Sequence, residues 1–183
     1  MLWLYLKRKT KLLEKNISVL HVAPEIIFIK KFKKITNWNY VSIDLKSPLA
    51  DIKANVYNLP FEENYFDLIL CNHVLEHIED DNKALNELHR VIKNKGTLIA
   101  QVPLEKNLKK TFENKEIMNP KERNKYFGQY DHVRVYGLDF YARLAKSGFK
   151  PKKIDILKEM SNEEKIKYCL PKDEKIPIGI AIK

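Results

Sequence analysis

Glycine is what this sequence has least of: five in 183 residues, and none before Gly96. The N-terminal half therefore holds neither a Walker phosphate loop nor a G-x-G-x-x-G dinucleotide turn, since both need residues without a Cβ where the backbone meets phosphate. Two cysteines, Cys71 and Cys169, are too few for a disulfide scaffold or a four-cysteine zinc site. No apolar run approaches the ~20 residues that span a bilayer. The opening Met1-Leu2-Trp3-Leu4-Tyr5-Leu6 runs straight into Lys7-Arg8-Lys9, the reverse of the cation-first order of a secretory signal. This favours the cytoplasm, and a first helix that caps the core over one that lies on a membrane surface.

Positive charge is plentiful, with 34 Lys+Arg against 24 Asp+Glu and a formal net charge of +10. The excess is almost all lysine. Without an arginine cluster or an RNP-like aromatic pattern it argues only weakly for nucleic acid. The 44% apolar share supports a packed core, and the length suits one domain over 1–183 with an N-terminal helix in 1–16.

Along the chain, Ile17–Ala23, Tyr40–Asp44, Ile52–Val56, Phe66–Cys71 and Thr97–Val102 read as strands, several too continuously apolar to have a solvated face. Pro24 and Glu25 suit the opening of a helix carrying Ile26, Ile27, Ile29 and Phe32. Asp80 or Asp81 caps a helix bearing Ala84, Leu85, Leu88, Val91 and Ile92. A polar excursion over Glu105–Tyr130 with one helix is followed by helix Leu138–Lys146. Strands at Lys153–Leu157 and Ile176–Ile182 close the chain, with a helix at Asn162–Tyr168 between them. The alternation implies an α/β fold, a mostly parallel sheet with helices on both faces. Ligands of such sheets sit beyond the carboxyl ends of the strands.

Those ends hold Ala23-Pro24-Glu25, then Asp44, then Asn55, then Asn72-His73. A carboxylate after the second strand can accept from vicinal ribose hydroxyls. An amide after the third can read an adenine edge, and Asn72 can hold an amino acid's charged groups. S-adenosylmethionine joins a nucleoside to a zwitterion and has no phosphate, so it needs no nest of backbone N–H groups.

The ordered series Asn58-Leu59-Pro60-Phe61, Phe66-Asp67, His73-Val74-Leu75-Glu76-His77-Ile78, Leu88-His89-Arg90-Val91 and Lys95-Gly96-Thr97 lies within Val19–Pro103. That stretch resembles the class I S-adenosylmethionine-dependent methyltransferases. It is most similar to the small bacterial methyltransferase-domain group, and its Ala23-Pro24-Glu25 turn to a glycan-cluster subset. The resemblance implies a Rossmann-like seven-stranded sheet with the last strand antiparallel, S-adenosyl-L-methionine as cofactor, and a small-molecule or glycan acceptor methylated on oxygen or nitrogen. By position, Asp44 would bind ribose, Asn55 would meet adenine and Val56 would pack on it. Asn72 and His73 would lie beside the methionine part. Where the family carries an acid and three alternating glycines, this chain has His21, Ala23, Glu25 and Ile27. A non-catalytic methyltransferase-like module and an RNA methyltransferase stand as alternatives.

For the chemistry, His77 is the first candidate base, set against a purely structural capping role. Between Gly128 and Gly137, within an acceptor-side excursion over 104–137, Asp131 could orient His132. Arg134 could hold the acceptor there, and Tyr136 could stack or donate. The bland reading is a hydrogen-bonded loop with Arg134 paired to Asp131. No metal is expected: Glu76 would point away from His73 and His77 on a helical turn, and no third well-spaced ligand is evident.

Overall fold

A computed structural model describes all 183 residues. In chain order the elements are α1 (Leu2–Lys9), β1 (Ile17–Val22), α2 (Ile26–Phe32), β2 (Trp38–Asp44), β3 (Ile52–Lys53), β4 (Phe66–Cys71), α3 (Asp81–Val91) and β5 (Ile92–Ile99). Then come β6 (Phe112–Glu113), α4 (Pro120–Phe127), β7 (Arg134–Val135), α5 (Phe140–Lys146), β8 (Phe149–Ile154), α6 (Asn162–Lys167) and β9 (Ile176–Ala181).

Seven strands form one sheet in the order β3-β2-β1-β4-β5-β9-β8. The first five are parallel, and β9 runs antiparallel to both β5 and β8. This is the Rossmann-like architecture with an antiparallel last strand. β1 and β4 sit at its centre because alternate residues on both their faces are apolar. On one face Leu20, Val22, Ile69 and Cys71 pack with Leu85 and Leu88 of α3 and with Phe140 and Leu144 of α5. On the other, Val19, Leu68 and Leu70 pack with Leu6 of α1, Phe32 of α2, Trp38 and Ile178. Leu2, Leu4, Tyr5 and Leu6 are all buried, so α1 closes this second core. No helix is long and apolar enough to cross a membrane.

Where the structure departs from the expected elements, local chemistry explains it. The third strand stops after Lys53, because Asn55 turns the chain at once: its side-chain oxygen and its carbonyl accept from the N–H groups of Tyr57 and Asn58, each at 3.0 Å. Helix α2 buries only Phe32 fully, and Ile26 and Ile27 stand 62% and 73% exposed at its start. Helix α3 keeps its expected cap, Asp80 accepting from the Lys83 N–H at 2.9 Å. It passes directly into β5 at Ile92, earlier than the apolar run suggested. The polar excursion holds the one expected helix, α4, together with a two-stranded ribbon of β6 and β7 that is too short to show any period.

Between α5 and β8 the chain turns at Gly148, where φ is +86° and an added Cβ would come within 2.5 Å of His89 Nε2. Gly148→Ala should lower stability by about 1–3 kcal/mol, read as a lower urea midpoint with unchanged slope. A wild-type midpoint would contradict this account of the turn.

Candidate functional site

The carboxyl edge of the parallel strands gathers the expected residues. After β1 the chain turns through Ala23, held at φ 46° with its N–H on the Ile43 carbonyl at 2.8 Å. An alanine therefore keeps a left-handed turn that glycine would enter without strain. Glu25 occupies the cap position of α2 but accepts no capping bond there. Its carboxylate instead meets Nε2 of buried His21 at 2.7 Å, while His21 Nδ1 faces the Tyr40 hydroxyl at 3.0 Å. Burial pushes the Glu25 carboxyl up, but the His21 hydrogen bond and the charge of His73 hold it below its ordinary value. The acid missing from β1 thus returns to it from the loop.

At the end of β2, one oxygen of Asp44 accepts the N–H groups of Lys46 and Ser47, both at 2.7 Å. Those bonds fix the carboxylate and leave its second oxygen for a ligand. Asn55 is exposed; Tyr57 engages its oxygen, so its amide nitrogen is the group on offer. Val56 corrects an expectation: at 8% exposure it belongs to the core and leaves little surface for an adenine.

At the end of β4, Asn72 accepts from the Gln101 N–H at 3.3 Å, while its own Nδ2 is buried without any partner. A buried amide donor left unpaired costs about 1–3 kcal/mol, so this atom marks a place for an acceptor group. The neighbouring thiol of Cys71 is buried and pushed far above its ordinary pKa, which keeps it inert. His73 turns out at φ 53° with Nδ1 3.3 Å from Glu76, whose carboxylate, together with the Glu25 charge and against burial, raises the imidazole pKa.

The next turn, residues 74–79, is pinned from across the molecule. Arg134 is 3% exposed. It donates to the carbonyls of Leu75 at 2.7 Å, Ile78 at 2.5 Å and Glu79 at 2.8 Å, and to Glu113 at 2.9 Å. The Tyr136 hydroxyl, fully buried, adds a bond to Asp81 at 2.8 Å. Arg143 ties Asp81 to Glu113. Two expectations are corrected here. Arg134 and Tyr136 do not face an acceptor, because their polar atoms are spent on the protein, and Arg134 pairs with Glu113 and not with Asp131. Glu113 and Arg143 went unseen in the sequence, since nothing in the weakly patterned excursion announced a partner for Asp81.

The clamp brings two other candidates together. His77 and His132 pack edge to face with ring centroids 4.6 Å apart. Nδ1 of His77 lies 3.2 Å from Asp131, and Nδ1 of His132 lies 3.2 Å from the Phe127 carbonyl. Burial raises the Asp131 carboxyl, but the Gln129 amide and the His77 charge outweigh it and keep the group ionised. Contrary to expectation, Asp131 orients His77 and not His132.

Residues 10–100 match the methyltransferase domain family. An uncharacterized protein of Methanocaldococcus jannaschii is 40% identical over 90 residues, covering 49% of this chain and 34% of that protein. The ubiquinone/menaquinone biosynthesis C-methyltransferase of Vibrio cholerae is 42% identical over 48 residues, covering 26% of this chain and 18% of the enzyme. The chain thus spans about a third or less of these curated relatives. Among solved structures, the 1,6-didemethyltoxoflavin-N1-methyltransferase of Burkholderia thailandensis, with bound S-adenosylhomocysteine, superposes with a TM-score of 0.61. It shares 14% identity, over 93% of this chain and 73% of that one. Residues 10–100 thus resemble a methyltransferase domain in sequence, and the sheet as a whole has the fold of a solved methyltransferase.

Burial raises the Glu113 carboxyl, but Arg143 and Arg134 hold it below its ordinary value. A carboxyl whose folded pKa is depressed lends stability at neutral pH and loses it as pH falls through the folded value. Corrected for the intrinsic pH dependence of exchange, the protection of amides in residues 105–137 should therefore fall as pH drops below the ordinary carboxylate range, ahead of global unfolding, and Glu113→Gln should abolish that step. Exchange that rises uniformly along the chain would contradict it.

Proposed function

We propose that this chain transfers the methyl group of S-adenosylmethionine to an oxygen or nitrogen of a small molecule or glycan precursor, with residues 104–137 forming the acceptor side of a single domain. The observation that carries this reading is the buried, unpartnered Asn72 Nδ2. It lies on the same strand edge as the free oxygen of Asp44 and immediately before the turn that presents His77.

Asp44 would accept from the ribose hydroxyls, the Asn55 amide would donate to an adenine ring nitrogen, and Asn72 Nδ2 would donate to the carboxylate of the amino-acid end. Ile26 and Ile27 after β1 and Leu45 after β2 are exposed on this edge, and they give a nucleoside apolar surface to cover. When bound, S-adenosylmethionine supplies an electrophilic methyl carbon on a sulfonium. The chain's task is then to position the acceptor atom and remove its proton. Asp131 at Nδ1 leaves Nε2 of His77 as the lone pair that takes that proton, and its charge stabilises the resulting imidazolium.

Titration with S-adenosylhomocysteine should give one site, weakened at least tenfold in Asp44→Ala. His77→Ala should keep that affinity while lowering turnover about 10²–10⁴-fold, measured as methyl transfer from radiolabelled cofactor to a panel of free sugars and phenols. Absence of heat from the wild-type protein at millimolar ligand would overturn the reading.

A further inference from the structure

We infer that Glu76, His77 and His132 form a site for a divalent first-row transition metal, and that this cation holds and activates a hydroxyl of the acceptor. The cation site stands on its own geometry; only the use made of the cation rests on the methyl-transfer reading.

One ligand atom from each of these three side chains lies within 4.8 Å of the others. The set is built. Glu76 is 1% exposed, and its Oε2 has no hydrogen-bond partner at all, although Oε1 faces His73. A buried carboxylate oxygen left bare is disfavoured, and a cation is the partner that removes the cost. Both histidines are already oriented through their other nitrogen. Asp131 stands at Nδ1 of His77 and the Phe127 carbonyl at Nδ1 of His132, which leaves Nε2 of each ring as the unclaimed donor. A carboxylate or a backbone carbonyl behind each imidazole is the outer support that metal-bound histidines use.

Two imidazoles and one carboxylate select borderline divalent ions such as Zn²⁺, Mn²⁺, Fe²⁺ or Co²⁺ over Ca²⁺. The reason the sequence hid the site is the clamp described above. The turn carrying Glu76 and His77 is not helical, so Glu76 faces inward, and Val133 binds its carbonyl at 2.9 Å, bringing His132 alongside.

Three protein ligands leave coordination positions open. An alcohol or sugar hydroxyl entering one of them is polarised by the cation, and its O–H bond breaks with the proton passing to water. The oxygen lone pair then forms the new C–O bond as the methyl C–S bond breaks, and sulfur keeps that electron pair. With a cation seated, the lone pair of His77 serves the metal and deprotonation passes to the cation. The acceptor class narrows accordingly to hydroxyl compounds.

The test uses the full chain, stripped with EDTA and titrated with Co²⁺, followed by visible absorption and by calorimetry, then with Zn²⁺ and Mn²⁺. One equivalent should bind with imidazole-type Co²⁺ bands. Glu76→Gln and His132→Ala should each weaken binding at least tenfold, and Asp131→Asn should weaken it less. Should His132→Ala fail to fold by circular dichroism, the isosteric Glu76→Gln alone decides. No uptake, or uptake unchanged in Glu76→Gln, would overturn the site. S-adenosylhomocysteine is titrated into the same samples: heat without metal uptake defeats the cation alone, and metal uptake without that heat defeats the methyl-transfer reading alone.

Discussion

The fork of Arg134 on the carbonyls of Leu75, Ile78 and Glu79 is the interaction on which the candidate site depends. A non-helical turn leaves its carbonyls without the partners a helix would supply, and buried carbonyls must be satisfied. One planar guanidinium satisfies three of them at once, a task for which the point charge of a lysine has neither the reach nor the geometry. Its own charge is met by Glu113, which Arg143 links to Asp81 and so to the first turn of α3. The turn that presents His77 is thereby fastened both to the excursion and to the sheet's main helix.

The strand edge proposed for the cofactor is held differently. There each group is positioned by the loop that follows its strand: Asp44 by the N–H groups of Lys46 and Ser47, Asn55 by its own turn, Asn72 by Gln101. Each keeps one polar atom unspent. The glycine-free turn after β1 is shaped by several small adjustments and not by one. Ala23 accepts the left-handed turn, Glu25 folds back onto His21, and Ile27 points to solvent.

Much of this was legible in the residues. The run Phe66–Cys71 was readable to the residue and the start of the helix after Asp80 to within one, because continuous apolarity and a side-chain cap are local signals, while its end ran one residue long at Ile92. The strand-end residues Asp44, Asn55 and Asn72 were readable because parallel topology dictates where ligands sit. What escaped was long-range. Nothing near Arg134 says that its partners are backbone carbonyls of residues 75–79, so its type and its polar neighbourhood suggested a substrate contact. Tyr136 misled for the same reason, an aromatic in a polar loop that proves to be buried against Asp81. The meeting of His132 with Glu76 and His77 needs the fold, since the Val133–Glu76 backbone bond and the Arg134 fork bring the two segments side by side.

On the reading proposed above, the carboxyl edge of β1, β2 and β4 receives an adenosyl amino acid. Crystals grown with S-adenosylhomocysteine test it most directly. Density should show the ribose on Asp44 and the amino-acid end on Asn72. Density elsewhere on the molecule, or an edge that stays closed at saturating ligand, would contradict it.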